Sequence, residues 1–422
     1  MYQRPHAKTL QSRLSEVPRQ IQILTGPRQI GKTTLVTRVL DQRPAGSSSY
    51  ITANEGGYPI EIAGEQFSRS EISPPRSPRA DSGWLVSMWQ QAVTAARTWH
   101  AKFPSQPPYV LVIDEIQKVP NWSESVKGLW DENLRSVNPL HVVLLGSSPL
   151  LVQKGLTESL AGRFELIRML HWTFEEMNEA FGWTLEQYIY FGGYPGSARL
   201  ISEEDRWRNY VRDVLIAPNI EKDVLELTRV DHPALLKQLF EIGCTYSGQI
   251  VALDKVLGVL NSTGNTTTLS RYMELLDRAS LLRGLLKFSD HEIRRRRSPP
   301  KFQVFNTALM SALGAHGFDE AKADRGYWGR LAESAIGAHL CNETDPNISL
   351  HYWREGHLEV DFIVRKGAKL LAIEVKSGSR TAVTPGLQEF RRRNPECRPL
   401  IVGGEDCSLG EFLMQPVAHW FS

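Results

Sequence analysis

Nine consecutive residues constrain this chain more than any other stretch: Gly26, Pro27, Arg28, Gln29, Ile30, Gly31, Lys32, Thr33 and Thr34. Two glycines enclosing four residues and followed by Lys and Thr fit the P-loop pattern, a phosphate-binding turn between a strand and a helix. Both flanks agree with that setting. The apolar run at 21–25 reads as a buried strand, and 35–40 continues with helical spacing. Gly26 and Gly31 let the backbone curl so that its N–H groups face phosphate oxygens. Lys32 can then reach the β- and γ-phosphates, Thr33 can ligate Mg²⁺, and the positive end of the following helix points at the anion. The expected ligand is a nucleoside triphosphate, ATP with Mg²⁺.

A chain of 422 residues has room for two or three domains. Forty-nine Lys and Arg against 47 Asp and Glu leave a net charge of +2, so a nucleic-acid site would have to be a local basic patch. Cys244, Cys341, Cys397 and Cys407 lie far apart with no Cys-x-x-Cys pair, as expected of reduced, mostly buried thiols. No apolar run is long enough to span a bilayer and the first residues are polar, which predicts a cytoplasmic protein without membrane contact. The segment 64–83 is rich in Pro, Ser and Arg and reads as a surface insertion between a strand at 48–52 and a helix at 84–100.

Residues 109–115 read as an apolar strand ending in Asp114 and Glu115, and 141–148 as another ending in Ser147 and Ser148. Strands that are apolar throughout and separated by helices imply a parallel sheet covered on both faces. Acids at the carboxyl end of such a strand stand where open α/β sheets bind ligands. Asp114 is expected to hold the Mg²⁺ shell and Glu115 to orient the attacking water, with Ser147 touching the γ-phosphate or that water. Arg163 is expected either as an arginine finger given to a neighbouring subunit, which would make the chain a homo-oligomer, or as a surface or lid-contacting arginine.

Together, GPRQIGKTT at 26–34, VIDEIQKVPNW at 112–122, LLGSS at 144–148, SLAGR at 159–163 and FGGYP at 191–195 resemble the prokaryotic AAA+ ATPases. Those proteins fuse the ATPase core to a C-terminal domain of restriction-endonuclease-like fold. The resemblance spans nearly the whole chain. It implies Arg28 and Gln117 as family-typical positions of the nucleotide site. It also marks departures: the 64–83 insertion, and Asn306 where the family tends to carry an acid.

The resulting fold expectation is an α/β chain in four parts. A P-loop NTPase (AAA+) parallel-sheet core occupies 1–168, a helical lid or linker 169–230, a winged helix 231–312, and an α/β restriction-endonuclease-like (PD-(D/E)XK) domain 313–422. In the winged helix, helices near 233–243, 253–261 and 268–278 precede a hairpin of strands 281–288 and 301–305. Its tip carries Arg294, Arg295, Arg296 and Arg297. Four adjacent arginines there can contact duplex DNA phosphates or acidic patches of the protein itself.

In the last part Glu333 lies on a helix, Asp361 heads an apolar strand, and Glu374 and Lys376 share a face of the next strand. Similar to the PD-(D/E)XK arrangement, the three acids would hold one or two Mg²⁺ or Mn²⁺ ions and Lys376 would position a water. Glu359, on the same face as Asp361, is a spare ligand. Three functions fit these residues: an ATP-driven DNA-processing enzyme, a nucleotide-gated switch or scaffold that binds DNA or protein without cutting, and a small-molecule kinase. Glu115 beside Asp114, and the large C-terminal half with its DNA-facing resemblance, count against the third.

Overall fold

A computed structural model describes residues 2–53, 80–146, 159–225, 230–260, 265–289, 298–378, 383–404 and 406–421. The chain divides into two compact units that meet in sequence at Met169 and Leu170.

The first unit begins with helix α1 (His6–Ser15) and strand β1 (Ile21–Thr25), followed by α2 (Lys32–Asp41) and β2 (Ser48–Thr52). After a segment outside the described residues come α3 (Ser82–Lys102), β3 (Val110–Asp114), α4 (Trp122–Leu134), β4 (His141–Gly146) and β5 (Phe164–Arg168). The strands lie in the order β2-β3-β4-β1-β5. Every neighbouring pair is parallel. β1, β3 and β4 are buried along their whole length, which accounts for their unbroken apolar sequence. On one face, Leu85, Trp89, Ala92, Ala96 and Trp99 recur along α3 at helical spacing and pack with Leu111, Ile113, Val142 and Trp130. Asp81 caps this helix by accepting from the Trp84 N–H at 2.7 Å.

The second unit carries helices from Phe174 onward and a six-stranded mixed sheet. Its strands are β6 (Leu282–Lys287), β7 (Lys301–Val304), β8 (Ile348–Glu355), β9 (Leu358–Lys366), β10 (Lys369–Val375) and β11 (Cys397–Val402), in the order β11-β10-β9-β8-β6-β7. β6 and β7 pair antiparallel, as the hairpin reading expects. The other edge of β6 pairs parallel with β8, through Leu286 and His351 and through Lys287 and Tyr352. The expected boundary at 312/313 is therefore crossed by one continuous sheet. Alternation along the sequence reports which face a strand buries, but not which strand takes its free edge.

All four cysteines are buried and free. Among the described residues no helix is long and apolar enough to cross a membrane.

Candidate nucleotide site and an acid cluster in the second unit

The P-loop leaves the carboxyl end of β1, and α2 starts at Lys32. Gly26 is required by space: a Cβ there would stand 1.8 Å from the backbone oxygen of Met169. The cause is β5, whose exit presses on the loop as the Met169 N–H donates to Thr25 O at 2.8 Å. Gln29 and Gly31 both adopt positive φ, 63° and 88°, the left-handed conformation from which anion-binding nests of N–H groups are built. No side chain caps α2 at Gly31, so the dipole end of the helix faces the loop. Ile30 is buried beneath the loop, while Thr33 and Thr34 are exposed. Lys32 is 8% exposed and donates to Gly26 O and Pro27 O, both at 2.7 Å. Arg28 is half-buried.

β4 separates β3 from β1, yet the side chains of Thr33 and Asp114 meet. Thr33 Oγ1 donates to Asp114 Oδ2 at 3.0 Å, and the Glu115 N–H donates to Asp114 Oδ1 at 2.8 Å. The Tyr50 hydroxyl of neighbouring β2 also donates to Asp114 Oδ2. Burial, then the charge of Asp114, pushes the Tyr50 phenol well above its ordinary value, so it stays a donor. Glu115 turns out of the strand with φ 54° and is half-buried, and Gln117 Nε2 donates to its Oε2 at 2.5 Å. A hydroxyl and a carboxylate 3.0 Å apart are hard oxygen donors of the kind Mg²⁺ takes. Ser147 lies outside the described residues.

Arg163 stands at the amino end of β5, next to Ile21, whose N–H donates to Arg163 O at 2.8 Å. That is the opposite end of β1 from the P-loop, so Arg163 does not join its own chain's nucleotide site. Its guanidinium grips Asp131 of α4 through both oxygens, at 2.8 and 3.0 Å. Both side chains remain about one-third exposed, at 32% and 35%.

In the second unit the structure brings Glu333, Asp361 and Glu374 together, but around a residue the sequence reading left in the hairpin. Lys301, at the start of β7, is fully buried. Its ammonium lies 2.6 Å from Glu333 Oε1, 3.5 Å from Asp361 Oδ1 and 3.9 Å from Glu359 Oε1, and donates to Asp361 O at 3.2 Å. It also sits 4.8 Å from the centroid of the Phe362 ring. Burial works against its charge, but Glu333 and then Asp361 prevail and raise the ammonium above the ordinary lysine range. Burial lifts Glu333 to about 7 against the pull of Lys301. Glu374 is raised by burial and by Asp361. Lys376 follows β10 directly and reaches Glu374 Oε1 at 2.7 Å, as the shared face predicts, while Asp361 Oδ2 accepts from the Val375 N–H at 2.8 Å. Glu374 Oε2 is buried without a hydrogen-bond partner. Among the described residues no group of three acidic, histidine or cysteine side chains is arranged to hold a metal ion. Lys301 left one trace in the sequence, a charged residue heading a short strand, Lys-Phe-Gln-Val, that is otherwise uncharged. Its acidic partners lie 32 or more positions away.

Arg294, Arg295, Arg296 and Arg297 lie outside the described residues. Asn306, singled out as a departure, is a structural hub. Its Oδ1 accepts from the N–H groups of Gly193 and Ala308, both at 3.1 Å, and its Nδ2 meets His171 Nδ1 at 3.1 Å.

Comparisons with known proteins match three stretches of the chain. A family described as "AAA domain" matches residues 81–178, which contain Asp114, Glu115 and Arg163 but begin after the P-loop. Two families described as domains of unknown function match 182–321 (DUF8612) and 328–412 (DUF4143). Two curated relatives, described as uncharacterized proteins of Mycobacterium tuberculosis and Mycobacterium bovis, are each 26% identical over 392 residues. Those alignments cover 91% of this chain and 76% of each relative. Among solved structures, a variant of RuvB from Thermotoga maritima is 18% identical, with 66% of this chain and 88% of that chain covered and a TM-score of 0.28. The replication initiator DnaA bound to AMPPCP and single-stranded DNA is 13% identical, with 64% and 87% covered and a TM-score of 0.29. Similarity that low carries no inference about this chain. The first unit thus carries a P-loop on a parallel sheet, and over residues 81–178 the chain is similar to an AAA domain.

Proposed function

We propose that this chain binds ATP at the loop 26–34 and hydrolyses it, and that turnover drives its C-terminal unit in handling duplex DNA. The observation that carries the ATPase reading is the 3.0 Å bond between Thr33 Oγ1 and Asp114 Oδ2, with Lys32 on one side and Glu115 on the other. In this reading the loop N–H groups and Lys32 bind the phosphates, and Thr33 and Asp114 hold Mg²⁺. The metal, when bound, neutralises charge on the β- and γ-phosphate oxygens. Glu115, one residue beyond Asp114 and held by Gln117, orients the attacking water and accepts its proton. Ser147, which follows Gly146 in the sequence, is assigned the polar contact to the γ-phosphate or the attacking water. Arg163, remote from its own loop, serves the nucleotide of a neighbouring copy after release from Asp131. Arg294 to Arg297 supply phosphate contacts to DNA.

A second reading of the C-terminal unit is favoured by one observation. The buried Lys301 ammonium neutralises the acids Glu333 and Asp361, which supports a unit that binds DNA or a protein partner without cutting it. Wild type, Glu115→Gln and Asp361→Ala incubated with duplex DNA, ATP and Mg²⁺ or Mn²⁺ separate the possibilities. DNA-stimulated phosphate release lost in Glu115→Gln supports the ATPase reading. Strand cutting lost in Asp361→Ala would establish a nuclease, and its absence under either metal leaves the binding reading.

A further inference from the structure

The resemblance of the C-terminal residues to a metal-dependent nuclease implies a divalent ion between Glu333, Asp361 and Glu374. The side chains present do not fit one. Mg²⁺ needs oxygen ligands at about 2.0–2.1 Å in near-octahedral array. Here the space between Glu333 Oε1 and Asp361 Oδ1 is claimed by Lys301 Nζ, at 2.6 and 3.5 Å. The ammonium is not a surface side chain that can swing aside. Lys301 is wholly inaccessible, begins strand β7, packs on Phe362 and donates to the Asp361 carbonyl. A divalent ion among the same oxygens would meet a fixed positive charge within a few ångströms. On the far side, Glu374 Oε1 faces a second cation, the Lys376 ammonium, and Asp361 Oδ2 accepts from the Val375 N–H. Glu374 Oε2 is buried without a hydrogen-bond partner, but among the described residues no group of three such side chains is arranged to hold a metal ion.

We infer that Lys301 is the resident cation of this cluster, standing in for a divalent metal, so that the wild-type Glu333, Asp361 and Glu374 set binds neither Mg²⁺ nor Mn²⁺. This deepens the non-cutting reading given above. It also accounts for four carboxylates, with Glu359, gathering in one place. A buried ammonium needs paired acids, and a permanent internal charge holds them together without an ion. The β6–β7 hairpin, which brings Lys301 to the cluster, is thereby tied to β9 and to the helix Arg325–Cys341.

The test is Mn²⁺ binding to the nucleotide-free full-length chain, with free Mn²⁺ read by electron paramagnetic resonance. Asp114 is unchanged in every variant, so binding at the P-loop is a common background. Wild type and Asp361→Asn are expected to bind the same amount. Lys301→Met, which keeps the packing and removes the charge, gains one equivalent that Lys301→Met/Asp361→Asn loses again. Wild-type Mn²⁺ that disappears in Asp361→Asn overturns the inference, as does a folded Lys301→Met that gains none. If Lys301→Met does not fold, the wild type and Asp361→Asn comparison decides alone. Phosphate release, measured separately, reports on the ATPase reading and is indifferent to either result.

Discussion

Thr33 and Asp114 lie 81 positions apart in the chain, and their side chains share a hydrogen bond of 3.0 Å. The bond forms because α2 begins at the carboxyl end of β1, and β3, two strands away, ends at the same edge of the sheet. Asp114 thereby receives Thr33, Tyr50 and the Glu115 N–H, which aim its carboxylate across the mouth of the loop.

Removing Lys32 tests the site most directly. Lys32→Ala takes away a buried ammonium held against the loop carbonyls. ATP affinity, followed by fluorescence of a nucleotide analogue, should fall by roughly 100-fold, equivalent to about 2.8 kcal/mol.

Glu115 should separate binding from chemistry. Glu115→Gln keeps the shape and loses the base, so ATP affinity stays near wild type. Phosphate release should fall by about 10²–10⁴-fold, the range expected for a positioned general base.

Tyr50 is a supporting residue that the sequence did not single out. Tyr50→Phe removes one donor from a largely buried carboxylate. Urea unfolding of the nucleotide-free chain should show a loss of about 2 kcal/mol, the size of a hydrogen bond to a charged group. An unchanged midpoint would mean that Asp114 does not depend on this bond.

Arg163 and Asp131 form a pair whose two halves should behave differently. If Arg163 serves a neighbouring copy, Arg163→Ala lowers hydrolysis by about 10³-fold or more with ATP binding intact. Asp131→Ala frees the guanidinium and leaves turnover in place. Equal turnover in both variants would return Arg163 to a structural role.

His339 gives a pH dependence with a definite sign. Burial lowers its pKa to about 4, against 6.5 for an unperturbed histidine, while Gln415 O engages its ring at 3.0 Å. Between those values the unfolded chain holds the proton that the folded chain refuses. Its contribution to stability is therefore full above pH 6.5, declines as pH falls toward 4, and levels off below. The slope is about 1.4 kcal/mol per pH unit for one proton. His339→Asn should flatten the unfolding profile by that amount across this window. Glu333, raised to about 7, acts in the opposite sense from pH 4.5 upward and is present in both proteins.

How much of this was legible in the residues differs between the units. In the first, continuous stretches carry their own structure. The apolar runs at 21–25 and 110–114 became buried parallel strands, the residues between Gly26 and Lys32 became the loop, and α3 follows its five-residue apolar stripe. These are local consequences of periodicity and backbone freedom, and neighbours in sequence suffice to specify them. In the second unit, the proximity of Glu374 to Lys376 was readable for the same reason, since alternate residues share a face. The expectation of separate modules on either side of 312 did not anticipate β6 pairing with β8, because a strand's pattern says nothing of what occupies its second edge.

The sequence by itself determined a phosphate-binding loop, two acids at a strand end and a set of acids in the tail, because each depends on residues close together in the chain. Only the tertiary structure decided what those tail acids face. Glu333 lies 32 positions after Lys301 and Asp361 lies 60 after it, and a pairwise charge interaction depends on distance in space alone. Folding put an ammonium where the spacing of the acids had suggested a metal.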